Sequence, residues 1–208
     1  LKILRTDLID TDIDLFFLGP IFSVICIITY INAMNMFDGM NLISFLHFSS
    51  IAFTFILNNF IVDFSLLLLL SLLTYGYLNF KNLTFLGDSG VFILSFVVSI
   101  LLILFYNHQN LNVENILLVI YLPIIDFFRL FFTRIYNGKN PLYADEKHLH
   151  HYLKKKFNYK ISILIYFSFI YFPILINSLL DITKFLIITM IIIYFLLLKF
   201  VRPKISNI

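Results

Sequence analysis

The chain has 208 residues, 61% of them hydrophobic and only 13% charged, with a formal net charge of +3 and a mean hydropathy of +0.95. A soluble domain of this length cannot hide that much apolar surface, so the expected class is an all-α, polytopic membrane helix bundle. The small net charge gives no reason to expect a nucleic-acid partner, and the single cysteine, Cys26, excludes an internal disulfide.

Residues 1–14 are polar and acidic, with Asp7, Asp10, Asp12 and Asp14, and read as a loop. The chain opens on Leu1 with no basic segment and cleavage site, which suggests a fragment without its N-terminal helices, residues 1–208 forming one transmembrane domain. Seven apolar runs follow, at about 15–34, 42–61, 64–80, 90–106, 115–135, 161–178 and 183–201. A helix of about 20 residues spans a hydrocarbon core of about 30 Å, so each run is expected to cross, the slightly short 64–80 with little tilt. Apolar residues surround each run instead of alternating along it, which argues against a barrel. The connections at 62–63 and 179–182 are short enough to force tight antiparallel hairpins.

Counting crossings from residues 1–14 puts 35–41, 81–89, 136–160 and the C-terminus on the opposite side. That side or its helix ends carry eleven Lys and Arg, against three (Lys2, Arg5 and Lys184) on the side of residues 1–14, with Arg129 inside a run. The positive-inside rule then makes the eleven-cation side cytoplasmic.

Three polar islands fall on that side. In Asn32-Ala33-Met34-Asn35-Met36-Phe37-Asp38-Gly39, steps of three place Asn32, Asn35 and Asp38 over an arc of about 120° at a helix end. Gly39 can then break the helix and let backbone approach a ligand. Such a wall suits a nucleotide or a metal-bound phosphate; capping and interhelical hydrogen bonding are the plainer alternative. In Phe85-Leu86-Gly87-Asp88-Ser89-Gly90, Asp88 is either an N-terminal helix cap or a carboxylate ligand for Mg²⁺.

The third island is the long loop 136–160, with Lys139, Asp145, Glu146, Lys147, His148, His150 and His151. On one helix His148 and His151 share a face while His150 points away, which disfavours zinc. Imidazoles beside lysines suit diphosphate recognition, and a solvated basic loop is the alternative, above all for Lys154-Lys155-Lys156, which can contact anionic lipid. Asp126 and Arg129, at i, i+3 inside run 115–135, are either a structural ion pair or a functional one. His47 reads as a satisfied polar residue within a helix, and His108 as part of an outer loop.

Together the islands resemble the polyprenyl-phosphate N-acetylhexosamine-1-phosphate transferase superfamily, which includes the MraY and WecA enzymes. Asn32 to Gly39 match its N-A-x-N-x-x-D-G pattern, and Phe85 to Gly90 its F-x-G-D-x-G pattern. Pro123, Asp126 and Arg134 look like its P-x-x-D then R pattern. Asp145, His148, His150 and His151 match the D-x-x-H-x-H-H tract of the WecA-like branch. Three positions depart from the superfamily's patterns: Asn41 and Leu42 stand where many relatives repeat an aspartate and glycine, and Val91 where a serine often follows the second motif's glycine.

The resemblance implies a Mg²⁺-dependent phosphotransferase of the bacterial plasma membrane, with Mn²⁺ as an alternative ion. It would move N-acetylhexosamine phosphate from a UDP-sugar, UDP-GlcNAc by default, to undecaprenyl phosphate and release UMP, as a first step of cell-envelope polysaccharide synthesis. It implies Asp88 and Asn35 as metal ligands and Asp88, Asp38, His148, His150 and His151 as catalytic residues. Asn32, Asn35, Phe85, Arg134 and Asp145 would bind substrate. The superfamily's upstream Asp-Asp motif has no match here, so residues 1–208 alone are expected to be inactive. A homodimer is left open, and so is an MraY-type enzyme acting on UDP-MurNAc-pentapeptide. Two further alternatives are a transporter using Asp126 and Arg129, which predicts polarity along a path through the bilayer, and a zinc hydrolase using the histidines.

Overall fold

The computed structural model describes residues 1–8, 11–109, 111–141 and 146–203. Two short strands, β1 (Ile3–Thr6) and β2 (Thr11–Asp14), are followed by eight helices: α1 (Gly19–Phe37), α2 (Ile43–Leu57), α3 (Val62–Phe80), α4 (Gly87–His108), α5 (Val113–Tyr136), α6 (Leu149–Lys156), α7 (Tyr159–Leu180) and α8 (Thr183–Val201). All seven expected runs are helical. Six are long and apolar enough to cross a membrane, and α2 is the shorter seventh apolar helix. The protein is a multi-pass membrane helix bundle.

Helix ends follow local chemistry. Pro20 opens α1 in its first turn, where its missing N–H costs nothing. The Asn158 side chain accepts a hydrogen bond from the Ile161 N–H at 2.9 Å and starts α7. Residues 58–61, expected inside the second crossing, leave the helix at Leu57. Asn59 and Ile61 there adopt left-handed backbone, at φ of 52° and 40°, and turn the chain into α3. The fifteen residues of α2 make a rod of about 22 Å, yet its ends reach both ends of the bundle. At one end the Leu42 N–H meets the Asn79 side chain, and at the other Gln109 donates to the Asn58 carbonyl.

Long-range contacts sort the helix termini into two groups. The ends of α1, α5 and α8, the starts of α2 and α4, and all of α6 gather at one pole. Residues 1–14, the end of α4 and the start of α5 gather at the other. There the acidic segment expected as a loop is an antiparallel hairpin with Ile3 opposite Asp14. The Tyr106 hydroxyl accepts from the Arg5 N–H at 2.7 Å and donates to the Ile3 carbonyl at 3.0 Å, and buried Glu114 accepts from the Thr6 hydroxyl and the Leu8 N–H. Tertiary partners thus order a segment whose own composition favours a loop. His108 ends α4, its ring 5.6 Å from that of Phe60.

The bundle interior is aromatic and aliphatic: Met34, Phe37, Phe48, Ile51, Phe55, Val98, Leu122, Tyr166 and Tyr194 are buried. Phe55, Phe60 and Phe105 pack with ring centres 5.1–5.3 Å apart, separations at which edge and offset contacts are favourable. Ile21, Ile25 and Ile28 on α1, Leu66, Leu70 and Leu73 on α3, and Ile188, Ile192 and Phe195 on α8 point outward. Their spacing of three and four residues marks the lipid-facing stripes of these helices.

Candidate active site

The first and third islands meet at one pole. Helix α1 ends at Asp38, whose N–H bonds the Met34 carbonyl at 3.0 Å. Asp38 is half-buried and accepts a hydrogen bond from the Ser44 hydroxyl at the start of α2. The His150 ring lies directly on Gly39: a Cβ there would overlap the ring atoms. Lys154 Nζ donates to the Gly39 carbonyl at 3.0 Å. Glycine is required at this position by the close approach of an imidazole to backbone.

The histidine tract is not arranged as one helix face. His148 is the N-cap of α6, with extended backbone at ψ 153°, so it lies outside the helical spacing that separates His150 from its neighbours. The rings of His148 and His150 stack 5.4 Å apart at 8°, and those of His150 and His151 are 4.2 Å apart. All three imidazoles therefore form one cluster, which corrects the expectation that His150 points away. Burial, assisted by the neighbouring His151 and His148, lowers His150 to about 3; burial also lowers His151 and Lys154. Both His150 nitrogens are buried without a hydrogen-bond partner among the described residues.

The cluster is anchored from inside the bundle. His148 Nδ1 lies 2.7 Å from Asp126 Oδ2. The other Asp126 oxygen accepts from Arg129 Nη2 at 2.8 Å and from the Tyr194 hydroxyl at 2.5 Å. Arg129 also donates to the Lys147 carbonyl at 2.7 Å and to the Tyr194 hydroxyl at 2.9 Å. The intramembrane ion pair is thus part of a four-residue network that holds the loop carrying the histidines. Buried Arg134 donates to the Pro141 carbonyl at 2.8 Å and approaches Met36 Sδ at 3.8 Å, beside the end of α1.

The second island joins at the rim. Asp88 is exposed in the first turn of α4, whose N-cap is Leu86 with no side-chain cap bond; an acid there suits the helix dipole whatever else it does. Asp88 lies close enough to Asp38 to act on it. Burial pushes the Asp38 carboxyl up, the Ser44 hydrogen bond opposes this, and the Asp88 charge pushes it further up. Phe85, 82% exposed, stands at the outer edge.

The remaining predicted residues are placed differently. Asn32 donates to the Ile28 carbonyl of its own helix at 2.8 Å, and Asn35 is half-buried one turn before Asp38. Asp145 lies outside the described residues. Among the described residues no group of three His, Cys, Asp or Glu is arranged to hold a metal ion. Mg²⁺ takes one or two carboxylates and completes its shell from waters and substrate phosphates, and Asp38 and Asp88, whose charges act on one another, are a carboxylate pair that suits it.

Three contributors are not apparent from the sequence. Asn79, buried in the last turn of α3, accepts from the Leu42 N–H at 2.7 Å and donates to the Thr84 carbonyl at 2.8 Å; Asn41 donates to its carbonyl at 3.1 Å. This clamp explains how Leu42 holds φ 70°, a left-handed backbone that favours glycine. Lys154 belongs to a basic run that reads as lipid contact. Tyr194 lies in an apolar helix with no neighbouring polar signal.

Comparison with curated proteins finds an undecaprenyl-phosphate alpha-N-acetylglucosaminyl 1-phosphate transferase of Haemophilus influenzae, 31% identical over 95 residues, 42% of this chain. The chain spans about a quarter of that relative's length, 27%. No family model matches, and no solved structure matches.

Proposed function

We propose that this membrane bundle is part of a transferase that moves N-acetylhexosamine phosphate from a UDP-sugar to a polyprenyl phosphate, with UDP-GlcNAc and undecaprenyl phosphate as the substrates. The observation that carries the reading is the convergence at one pole of the Asp38-Gly39 turn, the His148–His150–His151 cluster, Lys154, Arg134 and Asp88. The Haemophilus relative supports it by its name. The cation bias toward this pole supports a cytoplasmic site, where UDP-sugars are made, in a bacterial plasma membrane.

In the reaction an oxygen of the lipid phosphate forms a bond to the sugar-linked phosphorus. The bond from that phosphorus to the bridging oxygen breaks, and its electron pair leaves with UMP. Such transfers need positioning and charge stabilisation more than covalent help from the protein. Lys154 and Arg134 supply positive charge at the turn. Partly exposed His151 can donate a hydrogen bond to a phosphate oxygen without repelling the adjacent cations, while buried His150 packs the cluster against Gly39. Asp126, through His148, fixes the cluster. Mg²⁺, held by Asp38 and Asp88 with Asn35 nearby, would neutralise the diphosphate and the developing charge on the leaving oxygen.

Release of UMP from UDP-GlcNAc with undecaprenyl phosphate, measured with the full-length protein in membranes, tests the proposal. Turnover that requires Mg²⁺ and is nearly abolished by Asp88→Asn is expected; undiminished turnover in that variant would sink the assignment. Running UDP-MurNAc-pentapeptide in parallel separates the WecA-like reading from the MraY-type one. The transporter alternative loses support because Asp126 is fully engaged in holding His148, Arg129 and Tyr194.

A further inference from the structure

A cavity of about 570 Å³ opens between α5, α6 and α8, with Arg129 in its lining. Its lining is apolar at Leu130, Phe195 and Leu198 and basic at Arg129, Lys139, Lys147 and Arg202, with Arg129 the one cation inside a spanning helix. Thr133 and Asn137 add a hydroxyl and an amide to the lining. Among the described residues that line it, none is acidic, and Arg129 is paired with Asp126. Lys139, Lys147 and Arg202 are exposed, and Phe195 is 47% exposed to the surrounding lipid.

We propose that this cavity binds the phosphate headgroup of an anionic phospholipid, with an acyl chain lying along Phe195 and Leu198. Three features of the cavity fit that occupant. Lys139, Lys147 and Arg202 lie beyond the ends of α5 and α8, at the interfacial end of the cavity. The apolar wall continues from that end into the lipid-facing surface of α8, so a ligand with a charged head and an oily tail is matched at both ends. The Asn137 amide gives one N–H to the Thr133 carbonyl and keeps a second beside the charge, a donor that a diffuse basic surface lacks. Arg129 belongs to both places: it faces the cavity and also holds Asp126 and the Lys147 carbonyl, so a bound headgroup sits one residue from the anchor of His148. The site needs no turnover and stands whether or not the transferase assignment does.

Native mass spectrometry of the purified chain with phosphatidylglycerol or phosphatidylcholine tests it. Phosphatidylglycerol is expected to remain bound and phosphatidylcholine to be lost. The triple variant Lys139→Gln, Lys147→Gln, Arg202→Gln is expected to bind phosphatidylglycerol roughly 100-fold more weakly, from the attraction each interfacial Lys or Arg contributes. A charge-matched control, Lys81→Gln, Lys155→Gln, Lys160→Gln, should bind nearly as the parent does. A photoreactive residue at position 195 should crosslink to phosphatidylglycerol, a readout independent of the triple variant's behaviour. Equal loss in both triple variants, unchanged binding in the cavity variant, or no crosslink at position 195 would overturn the proposal. Displacement of the lipid by inorganic phosphate would also overturn it, by showing a site for free phosphate.

Discussion

Asp126 Oδ2 and His148 Nδ1 lie 2.7 Å apart, joining the middle of a membrane helix to the loop that carries the histidine cluster. The carboxylate accepts the Nδ1 proton and leaves Nε2 as the outward-facing nitrogen, the usual way a second group fixes an imidazole's tautomer and direction. Asp126→Asn should lower UMP release by roughly 10–100-fold, the usual effect of losing such an orienting partner. It also strands Arg129, at a cost of roughly 3–5 kcal/mol for one partner of a buried pair. The double variant Asp126→Asn, Arg129→Gln should recover thermal stability without recovering activity. Recovery of both together would show that Asp126 acts through folding alone.

Gly39 has no room for a methyl group because the His150 ring occupies it. Gly39→Ala should displace the ring and raise KM for UDP-GlcNAc. Adding His150→Ala removes the clash, so the second substitution should cost far less in the Gly39→Ala background than alone. Strictly additive losses in a double-mutant cycle would count against the contact.

The Asn79 side chain serves two backbone groups, the Leu42 N–H and the Thr84 carbonyl, and the Asn79 backbone carbonyl accepts from the Asn41 amide. Asn79→Ala leaves the Leu42 N–H and the Thr84 carbonyl without these partners, at about 1–3 kcal/mol for each buried group left unpaired. Thermal denaturation in detergent should show that loss. Hydrogen exchange should show faster opening of 38–44 and leave the hairpin of residues 1–14 unaffected.

His150 is held near 3 by burial, below the 6.5 of an exposed imidazole, so the unfolded chain binds the extra proton first. Stability is therefore unaffected by this group above pH 6.5 and falls as the pH drops from 6.5 toward 3. His150→Gln, which cannot titrate, should flatten that fall. A parent and variant with parallel stability profiles over this window would contradict the burial of the ring.

Composition alone determined that the chain lives in a membrane, because no soluble packing hides this much apolar surface, and hydrophobic run length located the six helices long enough to cross and the shorter α2. Residue order also placed the motifs at one pole, since each follows an odd number of runs. The sequence left undecided what the polar residues touch. Asp126 and Arg129 looked equally like a local ion pair or a functional one. Only the packing of α5 against α8 and the loop before α6 made them the anchor of His148. The histidine tract was misjudged by helical spacing because His148 is an N-cap, and a cap's backbone is set by the tertiary contact that captures its side chain. The acidic start of the chain became a hairpin because Tyr106 and Glu114, a hundred residues away, satisfy its backbone and hydroxyl groups. Periodicity reports how one segment meets an apolar environment. Directional hydrogen bonds between distant segments leave no periodic trace, and those bonds assemble the site.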